Sequence, residues 1–172
     1  QEREDRGELN PGVRRQRQRR IGHRLETQEA AFGKDHLNSL STAGNLAVLL
    51  SAGGSTQQAG EALLLKRRVL AGRKKLLGDE HPDTLMSIAN AGNSYCDLGR
   101  YGEGLPLLRE CVAGMRKVHG EGHPDTQGAI RALAKHEAAA AAQEEEQEQE
   151  QEQETHEAAA QRILQGFREI PA

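Results

Sequence analysis

The segment Leu77-Gly78-Asp79-Glu80-His81-Pro82-Asp83-Thr84-Leu85 returns downstream as His119-Gly120-Glu121-Gly122-His123-Pro124-Asp125-Thr126. The two His-Pro-Asp-Thr tetrads lie 42 residues apart, and a worn copy, Phe32-Gly33-Lys34-Asp35-His36-Leu37-Asn38-Ser39-Leu40, precedes the first by 45. Three phased copies restrict the chain to repeat architectures, in which each unit buries its apolar face only against its neighbours.

Each copy reads as a helix stop followed by a helix start. Gly78 supplies the residue that closes a helix at no steric cost. If His81 then precedes the first helical turn, Pro82 takes the first helical position, where its missing N–H is not needed. Asp83 follows at the positive end of the helix dipole. Between the tetrads, apolar residues recur at Leu85, Ile88, Ala91, Tyr95 and Leu98, a three-to-four spacing that gives one buried helical stripe. Gly99-Arg100-Tyr101-Gly102 breaks the stripe, and a second runs through Leu105, Leu108, Cys111, Val112 and Met115 to Gly120. The unit is therefore a helical hairpin, with helix-to-helix turns expected at Gly53-Gly54 and Gly99-Arg100 and hairpin-to-hairpin turns near Gly33, Gly78 and Gly120. Tyr95, Leu108 and Leu65 are expected in the core.

These residues resemble the tetratricopeptide repeats, and among them the longer repeat of the kinesin light chain type. The resemblance rests on Leu77, Gly78, His81 to Leu85, Asn90, Tyr95, Gly99, Arg100, Tyr101, Glu103, Leu107, Leu108 and Val112. It is carried upstream by Asn45-Leu46-Ala47, Leu50, Gly54, Glu61, Ala62, Leu64, Leu65 and Leu70. It covers roughly Ile21 to Lys135 and implies an all-α fold, a short right-handed superhelical array of antiparallel helical hairpins. The departures are Asn90-Ala91-Gly92 for Asn-Leu-Ala, Gly104 for alanine, Pro106 in the first turn of the second helix, and three extra residues within Ser55 to Gly60. Glycine inside a helix costs ~1 kcal/mol relative to alanine, so Gly92, Gly104 and Gly114 predict a soft array that leans on its flanking helices.

The flanks differ in charge. Residues 1 to 24 hold eight Arg against four acids, and 143 to 172 hold two Arg against nine Glu, on a chain whose formal net charge is −3. Residues 1–11 lack a stripe and read as a disordered arm. Residues 12–137 form the array, 138–156 an Ala/Gln/Glu-rich low-complexity helix or tail, and 157–172 a short amphipathic helix with a stripe at Ile163, Leu164, Phe167 and Ile170. The arginines Arg14, Arg15, Arg17, Arg19, Arg20 and Arg24 read chiefly as a solvated helix face, with no aromatic residues interleaved for nucleic acid. Lys66-Arg67-Arg68 and Arg73-Lys74-Lys75 read as cations favoured at a helix C-terminus.

Aromatic residues make up only 2 % of the chain, which suits Ala/Leu-packed helices rather than an aromatic-lined cofactor pocket. No apolar run approaches the ~20 residues that cross a bilayer. Cys96 and Cys111 read as small core residues of a reducing compartment, pointing to the cytoplasm. His-Pro-Asp also marks the tip of J-domain cochaperones, but here it recurs at the repeat period behind a Gly-terminated helix. The histidines are each a repeat apart and offer no convergent metal-ligand spacing. No Gly-x-Ser-x-Gly elbow, phosphate loop or dinucleotide fingerprint occurs. The expectation is a non-enzymatic module with no catalytic residue, no metal and no cofactor.

What remains is protein or peptide binding. The resemblance implies that the first helix of each pair lines a concave face, where an Asn before Leu-Ala bonds a peptide backbone; the matching residues are Asn45 and Asn90. Helical spacing adds Val48, Asn93 and Asp97 to that face, and the third first helix offers Arg131 and Lys135 there. An adaptor or scaffold binding peptides is the leading expectation. The alternatives are an assembly component that contacts neighbours through its basic arm and acidic tail, and a regulatory segment of a larger enzyme.

Overall fold

The computed structural model describes residues 10–168, without the side chains of residues 160 and 162–168. Six helices follow in order: α1 Pro11–Phe32, α2 Leu37–Ser51, α3 Thr56–Leu77, α4 Pro82–Asp97, α5 Tyr101–His119 and α6 Pro124–Arg168. No strand occurs among the described residues. Each helix packs on the next in the chain, and α6 also reaches α4. Two complete hairpins, α2–α3 and α4–α5, are thus flanked by single helices. The disordered arm expected over residues 1–11 falls mostly outside the described residues, but Pro11 is already the first residue of α1, capped by Asn10, whose side chain accepts from Gly12 N. The stripe at Ile163, Leu164, Phe167 and Ile170 lies outside the described side chains. The low-complexity residues from 138 onward continue α6 without a break in the helix through Arg168.

The repeated motif builds the stop and start read from it. Gly78 closes α3 at φ 86°, a backbone that L side chains rarely adopt, and its N–H bonds Lys74 O. His81 is the N-cap of α4, and its Nδ1 accepts the Asp83 N–H at 3.1 Å. His36 and His123 do the same for Asn38 and Asp125, both at 3.2 Å. An imidazole nitrogen thus serves in the place more often held by a serine or aspartate oxygen. The fourth residue of the tetrad is buried in every copy, as Ser39, Thr84 and Thr126.

The three extra residues of the upstream unit are helix rather than loop. Ser55 caps α3 with its Oγ on Gln58 N, so α3 has 22 residues where α5 has 19. The turn expected at Gly53-Gly54 is where it was read, and Ser55 directly after it is the cap. Likewise α5 begins at Tyr101, so Pro106 sits in its second turn instead of its first.

Several helix glycines stand at close helix contacts. A Cβ on Gly72 would stand 2.6 Å from Leu40 Cδ1, and one on Gly114 would stand 2.4 Å from Leu85 Cδ2. The last leucine of the motif therefore seats on a glycine of the partner helix in both hairpins. In the second hairpin Gly92 and Gly104 also face each other, and a Cβ on Gly104 would lie 2.8 Å from Gly92 O and 2.4 Å from Cys96 Sγ. These glycines let helices approach closely, and the lost propensity is offset by packing that no larger residue permits. The lock ends with the second hairpin, because the third motif copy has Gln127 in place of the leucine.

Two apolar clusters follow from this packing. Leu85, Ile88, Cys111 and Met115 join α4 to α5, with Leu70 of α3 and Ala129 of α6 against them. Leu25, Ala43 and Val69 join α1, α2 and α3. The flanking helices thus complete both cores. Tyr95 and Leu108 are buried as expected, whereas Leu65 is half-buried at the edge of the first cluster.

Candidate functional site

The helices that open each hairpin, α2 and α4, and their counterpart α6 form walls; α1, α3 and α5 form the floors between them. Between α2 and α4 lies a groove of about 250 Å³, with Asn45 and Val48 on one wall, Met86 and Asn90 on the other, and Lys66, Val69 and Arg73 on the floor. Between α4 and α6 lies a second of about 240 Å³, walled by Met86, Asn90, Asn93, Ala129 and Ala132 over Leu108 and Met115. Met86 and Asn90 belong to both, so the two grooves are continuous.

The floors occupy equivalent places in the repeat. Lys66 and Leu108 are one period apart, as are Arg73 and Met115. Arg73 Nη1 donates to Ser87 Oγ at 2.9 Å and to Asp83 O at 3.0 Å. One unit earlier the same places hold Gln28 and Thr42, joined by a 2.5 Å hydrogen bond. One unit later they hold Met115 and Ala129, packed in the same apolar cluster. The first floor between two hairpin-opening helices is therefore cationic, and the next is apolar.

The two cations are held rather than loose. Lys66 Nζ donates to Ser51 Oγ at 2.9 Å and to Ser94 Oγ at 2.6 Å, tying α3 to the ends of α2 and α4. Burial pushes the Lys66 ammonium down from its ordinary range, while the Asp97 carboxylate works in the opposite direction. Arg73 Nε is buried without a hydrogen-bond partner among the described residues. Asn93 Oδ1, at the wall of the apolar groove, is likewise without one. An unmet buried polar atom costs about 1–3 kcal/mol.

The structure brings together Asn45, Val48 and Asn90 at the cationic groove and Asn90 and Asn93 at the apolar one. Asn45 and Val48 are exposed, whereas Asn90 and Asn93 are half-buried. Asp97 turns instead to a separate hollow with Ser51, Ser55, Ser94 and Leu98. Arg131 and Lys135 are exposed on α6 and line none of these grooves. Lys66 and Arg73, read as helix-end cations, belong to the groove floor; only Lys74 and Lys75 lie in the last turn of α3. The signal was present, since residues 66 and 73 are seven apart with Val69 between and so share one helical face. Lys74 pairs instead with Glu110 at 2.6 Å and Asp79 at 3.5 Å.

Neither cysteine is placed for chemistry. Cys111 is fully buried with its Sγ 3.3 Å from Leu85 O, and burial pushes its thiol up to about 11. Burial raises the Cys96 thiol too. Among the described residues no group of His, Cys, Asp or Glu could hold a metal ion, and no helix is long and apolar enough to cross a membrane.

Comparison with known proteins agrees with this architecture. The family model described as Tetratricopeptide repeat matches residues 39–83 and 84–125, together half of the chain. A search of curated proteins found no match. Among solved structures, the fold is similar to that of a Podosopora anserina protein described as a kinesin light chain with nearly identical TPR-like repeats. That similarity has a TM-score of 0.66 at 26 % identity and covers 88 % of this chain and 70 % of the other. With two matched units, each opened by its His-capped helix and each seating a motif leucine on a partner-helix glycine, the chain belongs to the tetratricopeptide repeat family, in its kinesin light chain type.

Proposed function

We propose that the chain is a non-enzymatic adaptor that binds an extended peptide along the continuous groove over α3 and α5, on the concave side of a right-handed superhelical array spanning residues 12–137. The observation that carries this is the change of floor under a shared wall: cationic Lys66 and Arg73 on one side of Met86 and Asn90, apolar Leu108 and Met115 on the other. A peptide that sets an acidic residue beside a large apolar one fits the two floors. Asn45 and Asn90 then supply side-chain hydrogen bonds to the peptide backbone, and the unmet Asn93 Oδ1 accepts a donor. Two buried free cysteines suit a reducing compartment and support a cytoplasmic site of action.

The test is fluorescence polarisation with labelled synthetic peptides carrying the acidic and apolar residues in either order, or with the acid replaced by its amide. Asn90→Ala should weaken the preferred peptide roughly five- to 150-fold, the effect of leaving one buried hydrogen bond unmade. Arg73→Met, which installs the residue found one period later, should erase the preference for the acid. Glu103→Ala, at the exposed start of α5, is the control. Equal affinities for all four proteins would move binding off this groove.

A further inference from the structure

The floor helix α1 breaks the repeat in a directed way. In α5 the residues that face the preceding helix α4 are Gly104, Leu107, Cys111 and Gly114. In α3 the equivalents facing α2 are Ala62, Leu65, Val69 and Gly72, one period of 42 residues earlier. Stepping back by the 45 residues of the first unit gives Arg17, Arg20, Arg24 and Thr27 on α1. The register of that step is fixed by structure, since Gln28 meets Thr42 as Arg73 meets Ser87. Small and apolar residues that elsewhere receive a helix are here three arginines at successive turns.

Those arginines are exposed and, among the described residues, make no ion pair. Arg17, Arg20 and Arg24 form the floor of an open groove of about 630 Å³, walled on one side by Asn45, Val48 and Leu49 of α2. No described residue forms its opposite wall. An apolar helix would strand three guanidinium groups against itself, so the chemistry that fits is an acidic helix lying antiparallel to α1.

The chain carries such a helix at its other end. Residues 144–157 of α6 contain eight Glu, all exposed. They follow the part of α6 that packs along α5, which ends with the buried His136 and Ala140. Near-strict alternation of Gln and Glu on a helix of 3.6 residues per turn spreads carboxylates around the helix. The arginine floor can therefore be met at any rotation of that helix. Since α6 packs on α5 and reaches α4, the contact has to be made between molecules.

We infer that the groove on Arg17, Arg20 and Arg24 docks the 144–157 segment of a second copy of this chain. The contact is heterologous, so it propagates head to tail and gives rings or open chains instead of a closed twofold dimer. It rests on the repeat register and the charges, independently of peptide binding.

The test is sedimentation velocity of the full chain across protein concentration and salt, with circular dichroism confirming helicity of every variant. Wild type should associate at low salt and dissociate as salt screens the contact. The triple reversal Arg17→Glu, Arg20→Glu, Arg24→Glu, or the triple reversal Glu146→Lys, Glu150→Lys, Glu154→Lys, should each weaken association by about ten- to a hundredfold. A chain carrying both sets should associate again. A wild type that stays monomeric at low salt and high concentration would overturn the inference. So would association that survives the arginine reversal, which would place the acidic segment elsewhere, or a combined variant that is not restored.

Discussion

In the hairpin α2–α3, Leu40 seats on Gly72 and the floor toward the next unit presents Lys66 and Arg73. In α4–α5, Leu85 seats on Gly114 and the same floor positions are Leu108 and Met115. The inside of each hairpin is thus held constant while its outer floor is free to vary. The contact that sets helix separation is made within a hairpin, whereas the residues that line the grooves lie between hairpins. A second difference is that only α4–α5 adds the Gly92–Gly104 crossing, which brings two backbones together.

The comparison breaks most directly at the leucines. Leu85→Ala and Leu40→Ala should each cost about 2–5 kcal/mol, as deletion of a fully buried leucine does elsewhere. Urea unfolding followed by circular dichroism measures both. If the glycine seat is what matters, adding Gly114→Ala to Leu85→Ala should recover part of the loss, because the new methyl enters the vacated space and improves helix propensity. Failure to recover would show that the leucine acts through its other neighbours.

Glycine substitutions sharpen the contrast by sign. Gly104→Ala drives a Cβ against Gly92 O and the Cys96 backbone N–H, groups that cannot swing aside, and should destabilise by about 1–3 kcal/mol. Gly60→Ala in α3 meets open space and should stabilise by up to ~1 kcal/mol. Thermal melts of the two variants should therefore move in opposite directions.

The smallest effect is expected at the caps. His81→Ala removes the acceptor for Asp83 N–H at the start of α4 and should cost about 0.5–2 kcal/mol, with His81→Asn recovering most of it. The matching pair at His36 should behave alike, since both caps have the same geometry. A cap that matters in one hairpin alone would mean that the motif is not used equivalently.

Helix order, turns and caps were legible because Gly, His-Pro and the three-to-four spacing act through local backbone geometry. The asparagines Asn45 and Asn90 were read from the resemblance to the repeat family, and both line the groove between α2 and α4. The roles of Gly72, Gly104 and Gly114 were not legible, because propensity sees only the helix that contains a glycine and not the leucine or backbone opposite. Lys66 and Arg73 were hidden by neighbouring cations. In Lys66-Arg67-Arg68 and Arg73-Lys74-Lys75 only the packing phase of α3 shows which member of each run turns inward. Asp97 lines the hollow at the hairpin tip and not the groove, because it lies one further turn along α4.

The seating of Leu40 on Gly72 and Leu85 on Gly114 also bears on how such a chain can lengthen by tandem duplication. The partners are 32 and 29 residues apart, both within one period. A duplication whose joint falls in the Gly-x-x-His segment copies leucine and glycine together and yields a unit that packs at once. A joint inside a hairpin pairs the leucine of one copy with the glycine of another, so the seat is kept only if the duplicated length is a whole period. The same segment that stops one helix and starts the next is therefore also the place where the gene can be cut without damage to the core.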